Sequence, residues 1–318
     1  MTVKVTCLGG AVLDLIYGVD ELPHEDGKSI ARSFAESGGG MAANAAVIVS
    51  RLGGQAIWCG RVGDDDKGRR ILDGLRLEKV DVRTAKVVSG IQSSHSIVLK
   101  DRIGNRAIIL YRSEALEVDP SWLPLEKLLV ADAVLADNRW IEGAVALLSA
   151  ARARGIPAVL DADSAGDDTT LKAVSAASHV VFSAPGLASL FKTKTPEEGL
   201  RRAQKHAPFV AVTLGSKGVL WLDESGAARH VPSFPVAAVE TVGAGDIFHG
   251  AFAFALGRGQ SEEDGLRFAA AAAAIKCAGE GGTRKLPAYA RRRSAFGTPE
   301  NLETSIRKRC VKRNRRKQ

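Results

Sequence analysis

The stretch Thr241-Val-Gly-Ala-Gly-Asp-Ile-Phe-His-Gly-Ala-Phe252 joins a glycine-rich turn to an apolar helix, and this junction constrains the fold most strongly. Asp246 follows three small residues, Gly243, Ala244 and Gly245. Such a turn exposes backbone N–H groups beside the positive end of the helix dipole, which favours a phosphate. A carboxylate there would serve as a base facing the hydroxyl that attacks the phosphate. An Asp that only caps the helix is the alternative explanation.

A second glycine-rich stretch, Glu36-Ser-Gly-Gly-Gly-Met-Ala-Ala-Asn-Ala-Ala46, also runs into a predicted helix. Three consecutive glycines allow the backbone to approach a ligand closely. Asn44 lies one turn into that helix, where its amide would meet sugar hydroxyls. A flexible connection with a solvent-facing Asn explains the same residues without a ligand.

Short apolar runs alternate with Ala- and Leu-rich helical stretches along most of the chain. The predicted strands are 3–8, 56–62, 133–136, 158–161, 180–183 and 209–214, and the predicted helices include 41–52, 68–78 and 142–154. This alternation indicates a mostly parallel sheet covered by helices on both faces, with ligands beyond the carboxyl ends of the strands. Asp14 follows the first strand, where it would enter a ligand crevice or else lie on the surface.

Two regions, 13–36 and 93–112, interrupt the alternation. They have the polar alternation of half-exposed strands, and Asp101–Asn105 has the composition of a hairpin turn. We expect a small β-sheet that projects from the main domain. Such a sheet needs a substrate or a partner subunit to cover its face.

The positive charge of the chain is concentrated at one end. The 44 Lys and Arg residues against 36 Asp and Glu give a net charge of +8. The last fourteen residues, 305–318, contain eight basic residues and no acid, so the other 304 residues are neutral overall. A run of like charges predicts a disordered tail. Binding to nucleic acid is therefore expected only through this tail, if at all.

Composition and motifs exclude several other classes. The hydrophobic content of 45% and charged content of 25% are ordinary for a globular protein. No apolar run is long enough for a membrane-spanning helix, and the first residues lack a signal-peptide layout. The four cysteines form no CxxC pair, which predicts reduced thiols and a cytoplasmic location. Neither a Walker A loop nor a strand-linked dinucleotide fingerprint occurs, so an NAD-dependent dehydrogenase is not expected.

The segments Gly38-Gly-Gly-Met-Ala-Ala-Asn44 and Thr241-Val-Gly-Ala-Gly-Asp246 resemble the two signatures of the ribokinase-like (PfkB) carbohydrate kinases. The resemblance covers about residues 3–290. It implies an α/β fold with a ribokinase-like central, mostly parallel sheet flanked by helices, and a small β-sheet lid that often forms a dimer interface. We expect a kinase domain over residues 1–296, with its lid from about 13–36 and 93–112, and a basic tail over 297–318.

The resemblance also implies roles for individual residues, with ATP and Mg²⁺ as the phosphoryl donor. Asp246 would be the catalytic base, and the anion hole would consist of the backbone amides of Gly243, Ala244 and Gly245. The sugar would be held by Asp14, Gly39 and Asn44. The nucleotide would contact Thr213, Gly215 and Gly218, with the alanine-rich helix at Ala273 near the adenine.

Within the family, Ala136-Asp-Asn-Arg-Trp140 and Gly245-Asp-Ile-Phe-His-Gly250 most resemble the sulfofructose kinase branch. Lys28 and Arg139 stand at matching places and would pair with an anionic tail of the substrate. Leu110 departs from that pattern, because the branch is expected to carry an Asn there. An apolar side chain would leave part of a sulfonate without a donor.

The sequence therefore predicts an ATP-dependent kinase acting on a primary hydroxyl of a sugar, with an anionic ketose such as 6-deoxy-6-sulfofructose as one candidate. A neutral-sugar kinase for ribose or fructose, and a nucleoside kinase, are alternatives. A sugar or nucleotide sensor whose tail docks on nucleic acid is the non-enzymatic alternative. The expected partners are the sugar, ATP and a second copy of the chain through the lid, with no membrane.

Two departures from the family pattern affect the expected metal sites. Ser183-Ala-Pro-Gly186 replaces an Asn-x-x-Glu motif near the nucleotide, so no metal ligand is assigned. Glu240 replaces an Asp in a loop associated with a monovalent cation, which leaves activation by K⁺ open. His95, His179 and His249 have no Ser or Cys partner motif, and we assign them no catalytic role.

Overall fold

The computed structural model describes residues 2–113, 115–116, 119–163, 169–239 and 241–279. Its central sheet has eight strands. In spatial order they are β14 (Ala228–Val231), β13 (Val219–Leu222), β12 (Phe209–Thr213), β11 (His179–Ser183), β10 (Ala158–Ala162), β9 (Ala133–Asp137), β1 (Lys4–Leu8) and β4 (Gln55–Cys59). The strands from β12 to β4 run parallel, and β13 and β14 add an antiparallel edge. The predicted fold class is confirmed.

Helices cover both faces of this sheet. The helices are α1 (Met41–Arg51), α2 (Asp66–Leu77), α3 (Leu125–Leu128), α4 (Ile141–Ala153), α5 (Thr170–Ala176), α6 (Ala184–Phe191), α7 (Pro196–Ala203), α8 (Ala244–Gly257) and α9 (Glu262–Cys277), and a 3₁₀ turn spans Gly215–Lys217. Neighbouring residues of one strand enter different cores, because successive side chains point to opposite faces. Val181 packs in the core beneath α1, α8 and α9, whereas Val180 packs in the core beneath α4 and α7.

The predicted strand 56–62 is divided in two in the structure. β4 ends at Cys59, and a separate short strand, β5 (Arg61–Gly63), pairs with β6 (Lys86–Val88). Gly60 lies between β4 and β5, and a Cβ there would lie 2.4 Å from the carbonyl oxygen of Gly9. The chain therefore leaves the central sheet at a position that only glycine fits.

The alanine-rich helix packs tightly in the core. Ala269, Ala270, Ala271 and Ala272 on α9 are buried, and α9 lies along α8. At Gly265 an added Cβ would lie 3.1 Å from the ring of Phe252. Tight helix packing therefore accounts for these four residues. Ala273 remains partly accessible.

A four-stranded sheet forms the lid. Its strands, in spatial order, are β3 (Ser33–Gly39), β2 (Val12–Gly18), β7 (His95–Lys100) and β8 (Arg106–Tyr111). β7 and β8 form the hairpin predicted from the sequence, and β2 pairs with β7 in parallel. The lid therefore combines both regions that interrupt the strand–helix alternation.

The basic tail predicted over 297–318, Cys310 and Glu240 lie outside the described residues. Of the helices that the structure describes, none has both the length and the apolar character needed to cross a membrane.

Candidate active site

Asp246 lies in the first turn of α8, and the helix begins without a side-chain cap. The N-cap residue is Gly243, whose φ of 73° is in the left-handed region that favours glycine. The carboxylate of Asp246 therefore does not cap its own helix, and the capping explanation is wrong. The uncapped first turn leaves backbone amides available to an anion.

Asn44 joins the two glycine-rich stretches. Its side-chain amide donates a hydrogen bond of 2.6 Å to Oδ2 of Asp246, across 202 residues of sequence. Asn44 is only 3% exposed, because it lies on α1, which packs against α8. The alternative of a solvent-facing Asn is therefore wrong, and the two signature stretches form one site.

The surroundings of Asp246 raise its pKa to about 6. Burial of the carboxyl is the largest cause, and the hydrogen bond from Asn44 opposes it. The negative charges of Asp163 and Asp137 raise the pKa further, and Arg139 lowers it. A carboxyl with this pKa is ionised at neutral pH and is a stronger base than an ordinary Asp.

The predicted anion hole is only partly open in this structure. The backbone amide of Ala244 donates to the carbonyl oxygen of Thr241 at 3.2 Å and so closes a turn. Gly245 is exposed at the start of α8, and a Cβ there would meet no atom within 4 Å. The open space lies at the first turn, beside Asp246.

Asp137, at the carboxyl end of β9, is a buried residue of the site that the sequence analysis did not single out. Its carboxylate accepts hydrogen bonds from the backbone amides of Gly10 (2.9 Å), Ala42 (3.1 Å) and Arg139 (2.9 Å). Burial raises its pKa, and these three amides oppose the shift. Asp137 thus fixes the loop after β1 and the start of α1 together. Its position directly after the predicted strand 133–136 would have been the signal.

A cavity of about 560 Å³ lies beyond the carboxyl ends of β1, β9 and β10. Its charged lining consists of Arg61, Arg112, Arg139, Glu142 and Asp163. Other lining residues include Gly10, Gly40, Leu110, Asn138 and Trp140. Of the residues predicted to bind the substrate, Arg139 lines this cavity.

Arg61, Arg112 and Asn138 were missed as site residues. Asn138 adjoins the carboxyl end of a predicted strand, which was the available signal. Arg61 and Arg112 reach the cavity from β5 and from the end of the lid, and nothing in the local sequence indicates that they would meet. The guanidinium carbon of Arg61 lies 3.8 Å from the ring centre of Trp140, so Arg61 is held by a cation–π contact.

Asp14 and Gly39 lie side by side in the lid. Oδ1 of Asp14 accepts a hydrogen bond of 2.6 Å from Ser96. A Cβ at Gly39 would lie 2.5 Å from Oδ2 of Asp14, so glycine leaves room for this carboxylate. Lys28 is exposed between β2 and β3 and does not line the cavity. The sugar-binding roles of these three residues stay predictions.

The predicted nucleotide residues follow the carboxyl end of β12. The hydroxyl of Thr213 donates to the carbonyl oxygen of Phe182 at 3.3 Å. Gly215 and Gly218 have φ values of 59° and 89° and bracket the 3₁₀ turn. A Cβ at Gly218 would lie 2.2 Å from the carbonyl oxygen of Val231, whereas the space above Gly215 is open. Only Gly215 thus presents open backbone for a ligand.

A metal site is not evident among the residues that the structure describes, which contain no group of three or more His, Cys, Asp or Glu side chains suited to a metal ion. Ser183 caps α6 by accepting a hydrogen bond of 3.1 Å from the amide of Gly186. Mg²⁺ bound with a nucleotide takes many of its ligands from phosphate and water. We therefore assign no protein ligand to it.

A larger cavity of about 1140 Å³ lies at the amino ends of β1 and β4. It contains none of the predicted site residues, and ion pairs such as Arg51–Glu78 neutralise part of its charge. In parallel α/β sheets ligands bind beyond the carboxyl ends of the strands. The smaller cavity is therefore the better substrate site.

Known carbohydrate kinases resemble this chain in sequence and in structure. The sequence matches the model of the pfkB family carbohydrate kinases over residues 2–288. It is 29% identical to the ribokinase of Bacillus subtilis over 290 residues, which covers 89% of this chain and 96% of the relative. It is 30% identical to an ATP-dependent ribose-1-phosphate kinase of Halopiger xanaduensis over 286 residues, covering 90% and 95% of the two chains.

A solved chain from Agrobacterium tumefaciens, proposed to be a ribokinase, has a TM-score of 0.86 and 35% identity. The match covers 98% of this chain and 99% of that chain. The family match therefore extends over both glycine-rich stretches and the lid. The chain belongs to the pfkB family of carbohydrate kinases, which transfer phosphate to a hydroxyl.

Proposed function

We propose that this chain is an ATP-dependent sugar kinase in which Asp246 is the general base. The observation that carries the proposal is the hydrogen bond between Asn44 and Asp246, because it unites the two signature stretches at one carboxylate. The raised pKa of Asp246 supports the same role, since a base works best when its pKa lies near the working pH. A protein that only senses a ligand has no use for such a group.

In the proposed reaction, a primary hydroxyl of the sugar faces the Asp246 carboxylate. The carboxylate accepts the hydroxyl proton as the oxygen attacks the γ-phosphorus of ATP, and ADP leaves as the bond between this phosphorus and the β,γ-bridging oxygen breaks. The amides of Gly243 and Gly245 stabilise negative charge at the open first turn of α8. Mg²⁺, when bound with ATP, neutralises phosphate charge. Asp14, Gly39 and Asn44 hold the sugar, and Thr213, Gly215, Gly218 and Ala273 contact the nucleotide.

We further propose that the sugar carries an anionic group, as in a sulfonated or phosphorylated ketose. The cavity is lined by three arginines and only two carboxylates, namely Arg61, Arg112 and Arg139 and the side chains of Glu142 and Asp163. Guanidinium groups suit the planar and tetrahedral oxyanions, which they bind with two parallel hydrogen bonds. The relative from Halopiger xanaduensis, named for a ribose phosphate, offers a precedent for a charged sugar.

A neutral sugar such as ribose or fructose is the second candidate. Leu110 favours it, because this apolar side chain lines the cavity and offers no donor to a sulfonate. The similarity to the ribokinase of Bacillus subtilis favours it as well. Lys28, exposed outside the cavity, adds nothing to an anion site in this conformation.

An ADP-release assay over a panel of sugars tests both parts of the proposal. The panel contains ribose, fructose, fructose 6-phosphate and 6-deoxy-6-sulfofructose. We expect kcat/KM for an anionic ketose to exceed that for the neutral sugars by at least about tenfold. Faster turnover of a neutral sugar would contradict the anionic substrate only, whereas no sugar-dependent ADP release would contradict the kinase itself.

Asp246→Asn tests the base directly. The substitution keeps the size of the side chain and removes the proton acceptor, so kcat should fall by at least about a hundredfold. Asp73→Asn, at an exposed site on α2, is the matched control and should keep the parent kcat. An Asp246→Asn enzyme with the parent kcat would show that another group accepts the proton.

We also propose a cytoplasmic homodimer that forms through the lid. Ile16, Val98 and Ile108 pair across β2, β7 and β8, so they form an apolar row on one lid face. Ile108 is 59% exposed, and Leu110 extends the row to the cavity. A second lid would cover this row and shield the substrate.

A further inference from the structure

His249 lies one turn after Asp246 on α8 and faces the sheet rather than the cavity. Its side chain is buried, with 2% of the residue exposed. Nδ1 lies 2.8 Å from the carbonyl oxygen of Gly245, in the first turn of the same helix. Nε2 lies 3.1 Å from the carbonyl oxygen of Val181 on β11. One ring therefore connects the start of the catalytic helix to the strand beneath it.

Asp161, on β10, completes this contact from a third element. Its Oδ2 lies 3.2 Å from Nδ1 of His249, and the residue is 1% exposed. The carboxyl oxygens of Asp161 have no hydrogen bond to any other residue that the structure describes. A buried carboxyl without other donors is costly unless a proton neutralises it. His249 is the neighbour that supplies or receives that proton.

Both carbonyl oxygens only accept, so a proton on Nε2 serves Val181 and a proton on Nδ1 serves Gly245. Oδ2 of Asp161 lies within ion-pair distance of Nδ1, although the contact lacks hydrogen-bond geometry. The pair is neutral when it holds two protons, one on Nε2 and a second on Nδ1 or on the Asp161 carboxyl. Burial raises the pKa of Asp161 well above its usual range and lowers the pKa of His249. Both shifts keep the pair neutral as a whole.

We propose that His249 is a positioning residue for Asp246. Its Nδ1, through the proton shared with Asp161, holds the Gly245 carbonyl in place and thereby fixes the first turn of α8. The Gly245 carbonyl and the backbone N–H of Asp246 belong to the same peptide unit. Rotation of that peptide would move both the base and the amides of the anion site. The inference rests on the proposed role of Asp246 as the base.

The neutral pair also adds no further negative charge near Asp246. The groups that act electrostatically on Asp161 are Asp246, Asp163, Asp137 and Arg139. A carboxylate at Asp161 without the shared proton would add a negative charge next to a base that already lies near two others. A neutral pair adds no such charge.

Two substitutions at His249 distinguish the roles of its two ring nitrogens. In His249→Asn the side-chain amide replaces Nδ1 but does not reach Val181, whereas in His249→Gln the amide reaches the Nε2 position and leaves Nδ1 without a donor. We expect His249→Gln to lower kcat by at least about tenfold, with little change in KM for sugar or ATP. We expect His249→Asn to keep kcat well above that of His249→Gln.

Thermal unfolding of the same preparations identifies a merely structural role. If His249 only supports the fold, the loss of kcat will follow the loss of Tm in both variants. His179→Asn is the matched control, because His179 is half-buried on β11, contacts the ring of Phe252 on α8 and belongs to none of the contacts around Asp246. It should lower Tm without the selective loss of kcat. Equal kcat in the Asn and Gln variants would overturn the proposal.

Asp161→Asn tests the shared proton without removing the ring. Since the pair is neutral, a neutral amide should leave the acidic limb of the kcat/KM profile within about half a pH unit of the parent. A larger shift to lower pH would show that the pair carries a net negative charge, and would overturn the assignment of a neutral pair. Asp246→Asn is measured in parallel. Activity in that variant would defeat the proposed base, whereas an inactive Asp246→Asn with a fully active His249→Gln would defeat only this inference.

Discussion

At the scale of single residues, the reactivity of the site depends on how burial and hydrogen bonding balance at Asp246. Burial favours the protonated carboxyl, and the amide of Asn44 favours the carboxylate. The balance places the pKa at about 6, so the carboxylate predominates at pH 7. A base with this pKa still accepts a proton readily and is not lost to protonation under neutral conditions.

We expect kcat/KM to fall below about pH 6, because the protonated Asp246 accepts no proton. Well below this pKa, the loss should approach tenfold for each pH unit. The measurement is a pH–rate profile from pH 5 to 8, with circular dichroism at pH 5 to confirm that the chain stays folded. A flat profile across pH 6 in a folded enzyme would mean that Asp246 does not limit the reaction.

At the scale of secondary-structure elements, α1 depends on a cap from a distant strand. Its N-cap residue, Gly40, has no side chain, and the Asp137 carboxylate accepts from the amide of Ala42 instead. A negative charge at this end also interacts favourably with the helix dipole. Asp137 on β9 thus caps the helix that carries Asn44.

Asp137→Asn should therefore destabilise the chain. The amide group that replaces one carboxylate oxygen is a donor, so at least one of the three backbone amides loses its acceptor. A buried donor without an acceptor costs about 1–3 kcal/mol, and urea unfolding should show a loss of that size. The exposed substitution Asp73→Asn is again the control. Unchanged stability would indicate that water or a local shift replaces the lost acceptor.

The lid contributes the charge that would select an anionic sugar. Arg112 follows β8 and lines the cavity, whereas Arg106 lies at the other end of the same strand and does not. We expect Arg112→Gln to lower the ratio of kcat/KM for anionic over neutral ketoses by about tenfold. Arg106→Gln should leave this ratio unchanged. A ratio that is equal in both variants would remove Arg112 from substrate selection.

The strands, helices and lid could be predicted from the sequence because each follows from local patterns. Runs such as 133–136 and 158–160 are apolar throughout, which indicates strands buried on both faces. The break at Gly60 was missed, because it depends on the carbonyl of Gly9, which follows β1 in another part of the chain. Asp246 and Asn44 could be predicted from their glycine-rich stretches, and the family is confirmed.

Other parts of the site depend on how distant segments meet. Arg61 and Arg112 converge on one cavity only in the folded chain, and no hydrophobic periodicity in the sequence indicates that they will meet. Asp137, Asp161 and His249 act through buried contacts between strands and helices. His249 has no Ser or Cys partner motif in the sequence, and only its three neighbours reveal its relation to Asp246.

At the scale of the whole molecule, the lid leaves an apolar row without a cover in the single chain. We expect Ile108→Glu to shift a dimer to the monomer, because a charge in the centre of the row would be costly to bury. Light scattering coupled to size-exclusion chromatography measures this directly. Val87→Glu, at an exposed apolar residue outside the lid, is the matched control. A parent chain that is already monomeric would contradict the proposed dimer.

The contact between Asn44 and Asp246 also has a consequence for synthesis of the chain. Because 202 residues separate them, a nascent chain already has its cavity residues while the proposed base is still missing. The same late segment, α8 and α9, covers one face of the central sheet, including Val159 and Val181. Until this segment leaves the ribosome, that face stays exposed and prone to association. The core is therefore completed at the same late stage of synthesis at which Asp246 can first meet Asn44.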